Sequence, residues 1–175
     1  MRSAYGAKEN GIGQPPATIV VDVANVMGSR PDGWWRDRAG AAARLHAQIA
    51  ALAASGHPIL PDETDPPGFV LVLEGAARAA AARIGAAPVG DLPVGDAPVG
   101  DLPVGDAPVG DRGPRARVRV VQADGSGDDA IVALARELPG RRFVVTADRE
   151  LRRRSVAAGA AVLGPGWLIG LLREQ

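Results

Sequence analysis

Five acidic residues of this chain stand where α/β proteins usually do their chemistry. Asp22 lies in Thr18-Ile19-Val20-Val21-Asp22-Val23-Ala24-Asn25-Val26-Met27-Gly28, and Glu74 directly follows Phe69-Val70-Leu71-Val72-Leu73. Asp128 and Asp129 follow Ala123-Asp124-Gly125-Ser126-Gly127, and Asp148 follows Arg142-Phe143-Val144-Val145-Thr146-Ala147. An Ile/Val run without alternation reads as a strand buried on both faces. A carboxylate in such a strand costs several kcal/mol unless it is paired, hydrogen-bonded or metal-bound, on the order set by polar transfer. Asp22 therefore needs a partner.

Taken singly, the other acids have plain structural readings. Asp128, Asp129 and Asp148 suit helix caps, and Glu74 suits an exposed strand terminus. Taken together on one sheet edge, unpaired like charges repel. A hard divalent cation that prefers oxygen ligands relieves this. Mg²⁺ or Mn²⁺ lowers the pKa of a bound water and clamps the oxygens of an in-line phosphoryl displacement. The chemistry implied is hydrolysis of a phosphodiester.

Other chemistries fit less well. The chain has no cysteine, which excludes thiolate nucleophiles, disulfides and Cys-ligated zinc. No Ser-His-Asp arrangement is evident, and His46, in a helix, and His57, in a loop, read as surface residues. A phosphotransferase of the haloacid-dehalogenase kind needs a second Asp two residues after the first, where this chain has Ala24, and Lys8 is its only lysine. A non-catalytic RNA-binding or scaffold protein on the same fold stays open beside the enzyme.

The elements that must position these acids follow from hydrophobic period and turn chemistry. The first strand is read in the Ile/Val-rich stretch from Thr18, ahead of the loop that begins at Ser29, with Asp22 in its last part, and residues 69–73, 117–121, 142–146 and 161–163 read as further strands. Helices are expected from Trp35 to Ala54, from Ala76 to about Ile84, from about Asp128 to Leu138, and from Arg149 to Ala158. Trp167 to Leu172 reads as a final helical turn or two. In the first helix Ala39, Ala42, Ala43, Leu45, Ile49 and Leu52 supply the apolar face, with Asp32 or a neighbour as the cap. Strand–helix alternation with short loops argues a parallel sheet covered on both faces, with right-handed connections. Sites in such sheets form at the carboxyl ends of the strands, which is where the acids fall.

The 175 residues suit one domain with a core of its own. Residues 1–16 read as a polar leader without the apolar segment of a signal peptide, and residues 17–175 as the domain. An Ala/Leu-Pro-Val-Gly-Asp unit repeated five times interrupts it over residues 87–111. Proline at every fifth position forbids a regular helix or a central strand. A loosely turned, flexible surface insertion is expected in preference to a small β-solenoid, which would lack stacked neighbours. No apolar run approaches the ~20 residues of a membrane span, and a cytoplasmic location is expected. The formal net charge of zero hides an asymmetry. The stretch Pro88 to Asp111 carries five Asp and no base, leaving 20 basic against 15 acidic residues elsewhere. An Arg-rich remainder suits a polyanionic partner.

Four pieces in this order resemble the PIN-like nucleases, specifically the NYN (YacP-like) branch. They are Val21-Asp22-Val23-Ala24-Asn25-Val26, Leu73-Glu74-Gly75, Gly127-Asp128-Asp129-Ala130-Ile131, and Val145-Thr146-Ala147-Asp148-Arg149-Glu150-Leu151. Trp34-Trp35-Arg36-Asp37-Arg38 and Gly164-Pro165-Gly166-Trp167-Leu168 add to the likeness. The resemblance implies a three-layer α/β/α sandwich with a central, mostly parallel sheet of about five strands, and metal-dependent RNA cleavage using Mg²⁺ or Mn²⁺. It implies Asp22 as the central metal ligand, Asn25 holding a ligand water or phosphate, and Glu74, Asp128 and Asp148 completing the cluster. Asp129 would be an outer or alternate ligand. Ser126 and Thr146 would bond a phosphate or a metal-bound water, and Arg149, Arg152 and Arg153 the nucleic-acid backbone. RNA is the implied partner. A second copy of the chain and an inhibitor protein stay open, and a membrane is not expected. Trp34 and Trp35 have two readings, stacking on a base or packing on the first helix.

Overall fold

A computed structural model describes residues 15–84, 87–88 and 118–174. Its centre is a parallel sheet. Strands β1 (Thr18–Asp22), β2 (Gly68–Leu73), β3 (Ala87–Pro88), β4 (Val118–Gln122), β5 (Arg142–Val145) and β6 (Ala161–Leu163) lie in the order β3-β4-β2-β1-β5-β6. Every neighbouring pair is parallel. Asp22, the last residue of β1, stands in register with Val72 of β2.

Alternate strand residues feed two cores, one on each face. Ile19, Val21, Phe69, Leu71, Phe143 and Val145 point into one. Val20, Val70, Val72, Val121 and Val144 point into the other. This explains the unbroken Ile/Val runs, since neither face of the sheet meets water. Helices α1 (Val23–Gly28) and α2 (Arg38–Ala54) pack on the first face together with α3 (Ala81–Ile84) and α6 (Pro165–Arg173). Helices α4 (Gly127–Glu137) and α5 (Arg149–Ala157) cover the second. The result is the expected α/β/α sandwich.

Four local differences have physical causes. Helix α1 departs from the sequence expectation, because Val23 and Val26 favour a strand. Asp22 caps it instead, its Oδ1 accepting from the Asn25 N–H at 3.0 Å, and burial of Val23, Val26 and Met27 outweighs their weak helix propensity. Trp34–Arg36 form a 3₁₀ turn ahead of α2, and Asp37 rather than Asp32 caps that helix, accepting from Gly40 N–H at 2.8 Å. A Cβ at Gly40 would lie 1.9 Å from Asp37 Oδ2, so that cap requires the glycine. The helix expected from Ala76 to Ile84 is instead a 3₁₀ segment, Gly75–Ala80, running into the short α3. Lastly, the tract read as an insertion over 87–111 contributes its first two residues to the sheet edge, where Ala87 pairs with Val121. The rest of that tract and residues 1–14 of the leader lie outside the described residues.

Candidate active site

Parallel strands bring the carboxyl ends of β1, β2, β4 and β5 to one edge, and with them Asp22, Glu74, Asp128 and Asp148. Asp22 is the most enclosed, at 9% exposure. Both its oxygens are engaged. Oδ1 accepts from Asn25 N–H, and Oδ2 accepts from the Thr146 hydroxyl at 2.9 Å. Thr146 is fully buried, and its Oγ1 in turn accepts from the Asp148 N–H at 3.1 Å. Asn25 completes the tie between β1 and β5, its Oδ1 accepting from the Ala147 N–H at 2.8 Å. The ends of the two strands are thus locked by two side-chain bridges.

Glu74 reaches across from β2 to the start of α4, where its Oε2 accepts from the Gly127 N–H at 2.9 Å. A Cβ at Gly127 would lie 2.5 Å from that oxygen. Gly127 is therefore part of the site by making room for Glu74. The sequence signal was present, a glycine immediately before Asp128, but its reason lies 53 residues away. Asp148 caps α5, accepting from Leu151 N–H at 2.7 Å through Oδ1. Helix α4 is capped by Ser126, which accepts from Asp129 N–H at 3.4 Å. That arrangement leaves the half-buried Asp128 without a capping duty.

The electrostatics follow from this crowding. Burial pushes the Asp22 carboxyl above its ordinary value, its two hydrogen bonds oppose that, and the charges of Asp128 and Glu74 add to the rise. Asp128 is raised by burial and by the charges of Asp148 and Glu74, with Arg154 opposing. Asp22 and Asp128 both feel the charge of Glu74. Among the described residues, however, no group of three or more His, Asp or Glu side chains is gathered as a metal site. The donor chemistry, anionic oxygens with mutual repulsion, fits a hard divalent cation; the side chains are not drawn in around one.

Several expected contacts are spent elsewhere. Asp129 pairs with Arg154 at 2.5 Å, and Arg153 pairs with Glu150. Arg152 donates to the Thr146 carbonyl at 3.3 Å. Thr146 is too buried to touch a phosphate and instead orients Asp22, while Ser126 serves as a cap. Arg149, at the solvent-facing start of α5, has no ion-pair partner among the described residues.

No family model matches this sequence, and no curated protein matches it. Among solved structures, the chain is similar to Rae1 (YacP) from Bacillus subtilis, seen as a point mutant. The likeness covers 90% of this chain and 76% of that one, with 14% identity and a TM-score of 0.57. The fold is PIN-like. At this identity the likeness concerns the fold alone. Among the described residues no helix is long and apolar enough to cross a membrane.

Proposed function

We propose that this chain is a metal-dependent ribonuclease that hydrolyses phosphodiester bonds at the carboxyl edge of its sheet. The observation that carries the reading is that Asp22, Glu74, Asp128 and Asp148 come from four strand ends to one sheet edge, where burial and neighbouring carboxylates raise Asp22 and Asp128. Asp22, Glu74, Asp128 and Asp148 would hold Mg²⁺ or Mn²⁺, with Asp129 as an outer contributor released from Arg154. The ion supplies an activated water and charge neutralisation at the phosphate. The protein's own part is positioning. Thr146 and the Asn25 N–H fix both oxygens of Asp22, and Asn25 ties β1 to β5. Gly127 holds Glu74 in place. Arg149 is free to meet the RNA backbone.

The test is cleavage of mixed RNA with Mg²⁺ or Mn²⁺, against EDTA and against Asp22→Asn. The expected result is metal-dependent cleavage reduced at least about 100-fold in the variant, as when a member of a catalytic unit is removed. A second reading, an RNA-binding or scaffold protein without catalysis, is favoured by one observation: the acids are not gathered as a metal site. RNA binding without cleavage under either metal would establish it. Release of phosphate from small phosphate esters through an aspartyl adduct would overturn both.

A further inference from the structure

The described arginines are engaged in different ways. Arg78, Arg141, Arg153 and Arg154 each pair with a carboxylate. Arg36 and Arg38 pair with none among the described residues. Each lies over an indole instead, the Arg36 guanidinium 5.8 Å from the Trp35 ring centre and that of Arg38 5.3 Å from Trp34. The two rings meet edge to face at 6.4 Å and 86°. Trp34 is half-buried and packs against the first core. Trp35 is 57% exposed, one of two large apolar side chains left so open among the described residues.

The exposure of Trp35 does not come from a loose loop. Gly33 at φ +76° starts the 3₁₀ turn, Trp34 N–H donates to Asp32 Oδ1 at 3.2 Å, and Arg36 N–H donates to the Gly33 carbonyl at 3.1 Å. The turn leads into the 17-residue α2. A flat ring is held out to solvent with a cation beside it and another behind its neighbour.

Helix α1 links this platform to the carboxylate edge. Helix α1 starts at its cap, Asp22, and its outward residues are small: Ala24, Asn25 and Gly28. Asn25 belongs to the site, and a Cβ at Gly28 would sit 3.8 Å from the Trp34 ring. Six helical residues span roughly 9 Å. We propose that Trp35, backed by Trp34, Arg36 and Arg38, is a stacking platform for a base of single-stranded RNA, standing beyond the end of α1 that is remote from Asp22. The ring offers the sequence-tolerant stacking that every base accepts, and the two free guanidinium groups meet the phosphates on either side. Duplex RNA keeps its bases paired and has no face to offer. The inference rests on the ribonuclease reading for its substrate, but it is tested by binding alone.

The experiment measures anisotropy of a labelled single-stranded RNA dodecamer and of its duplex with Mg²⁺ present. The full chain is used in an Asp22→Asn background, so that cleavage does not intrude. Trp35→Ala is expected to weaken single-strand binding about 10-fold or more, Trp35→Phe by less than about 3-fold, with thermal midpoints unchanged. The double variant Arg36→Ala/Arg38→Ala is expected to flatten the salt dependence by about 1.4 in slope, at roughly 0.7 per phosphate contact. Equal binding by Trp35→Ala and its parent overturns the platform, as does an equal loss for duplex and single strand. Failure to bind either RNA also overturns it and leaves Trp35 as a protein contact. Trp35-dependent binding in a wild-type chain that never cleaves would remove the nuclease reading and leave the platform standing. Metal-dependent cleavage with KM unmoved by Trp35→Ala would do the reverse.

Discussion

The two ends of the same sheet are built on opposite electrostatic principles. At the amino edge, Arg141 pairs with Glu63 at 2.7 Å and lies over the Phe143 ring. Pro15, Pro16, Phe69, Val70, Leu138 and Pro139 line a mostly apolar hollow there, with Arg119 as its one charged residue. Gly140, at φ +74°, lets Pro15 approach so closely that a Cβ there would lie 2.9 Å from the Pro15 carbonyl oxygen. At the carboxyl edge, four acids face one another, and the hydrogen bonds hold them in place rather than cancel their charge. One edge is arranged for cohesion. The other keeps a local conflict, of the kind expected where a site trades stability for chemistry.

The contrast can be broken at either edge. The largest stability change is expected for Phe69→Ala, since a ring 2% exposed would leave a cavity costing about 3–5 kcal/mol. Urea denaturation reads this loss, and RNA cleavage per folded molecule is expected to be unchanged. Next is Thr146→Val, which keeps the shape but strands Asp22 Oδ2 and the Asp148 N–H. A loss of about 1–3 kcal/mol is expected, accompanied by loss of cleavage, with Thr146→Ser restoring both. An unchanged midpoint in Thr146→Val would mean that the bridge is not formed in solution.

The smallest effect has the opposite sign. Burial raises the folded Asp22 carboxyl above the ordinary 3.8, so the folded state binds that proton more tightly than the unfolded chain does. The Asp22 contribution to stability therefore falls as pH rises from that ordinary value through the raised folded one, and the loss is complete above it. In EDTA, Asp22→Asn is expected to melt higher than wild type at neutral pH, by on the order of 0.5–1 kcal/mol, while its cleavage is lost. Asn can still accept from Asn25 N–H and can donate to Thr146 Oγ1. Melting curves across pH 3 to 8, with pH 3 about one unit below the ordinary carboxyl range, would show the gap closing as pH falls. A lower neutral melting point for Asp22→Asn would contradict the conflict at this edge.

What the sequence made legible was what depends on period and order. Strands announce themselves through β-branched runs, unbroken at β1 and β2 and with mixed alternation at β4, and a parallel sheet then places Asp22, Glu74, Asp128 and Asp148 on one edge. What it hid was what depends on contacts across the fold. Helix α1 is concealed because Val23 and Val26 favour strands locally and are overruled by a cap and by packing. Gly127 looks like a turn residue until Glu74 is seen bonded to its N–H. Thr146 suits a phosphate contact on paper, yet it is sealed between Asp22 and Asp148. The arginines of α5 look equivalent in the sequence, and only the fold gives Arg153 and Arg154 to carboxylates while leaving Arg149 without one among the described residues.

The shape of the sheet's margins bears on how this protein behaves at high concentration. Among the described residues the outermost strands are the two-residue β3 and the three-residue β6, and Pro88 in β3 has no N–H to donate. Margins this short are poor templates for a strand from another molecule. At the β6 margin, described in full, the sheet is thereby guarded against growing edge to edge.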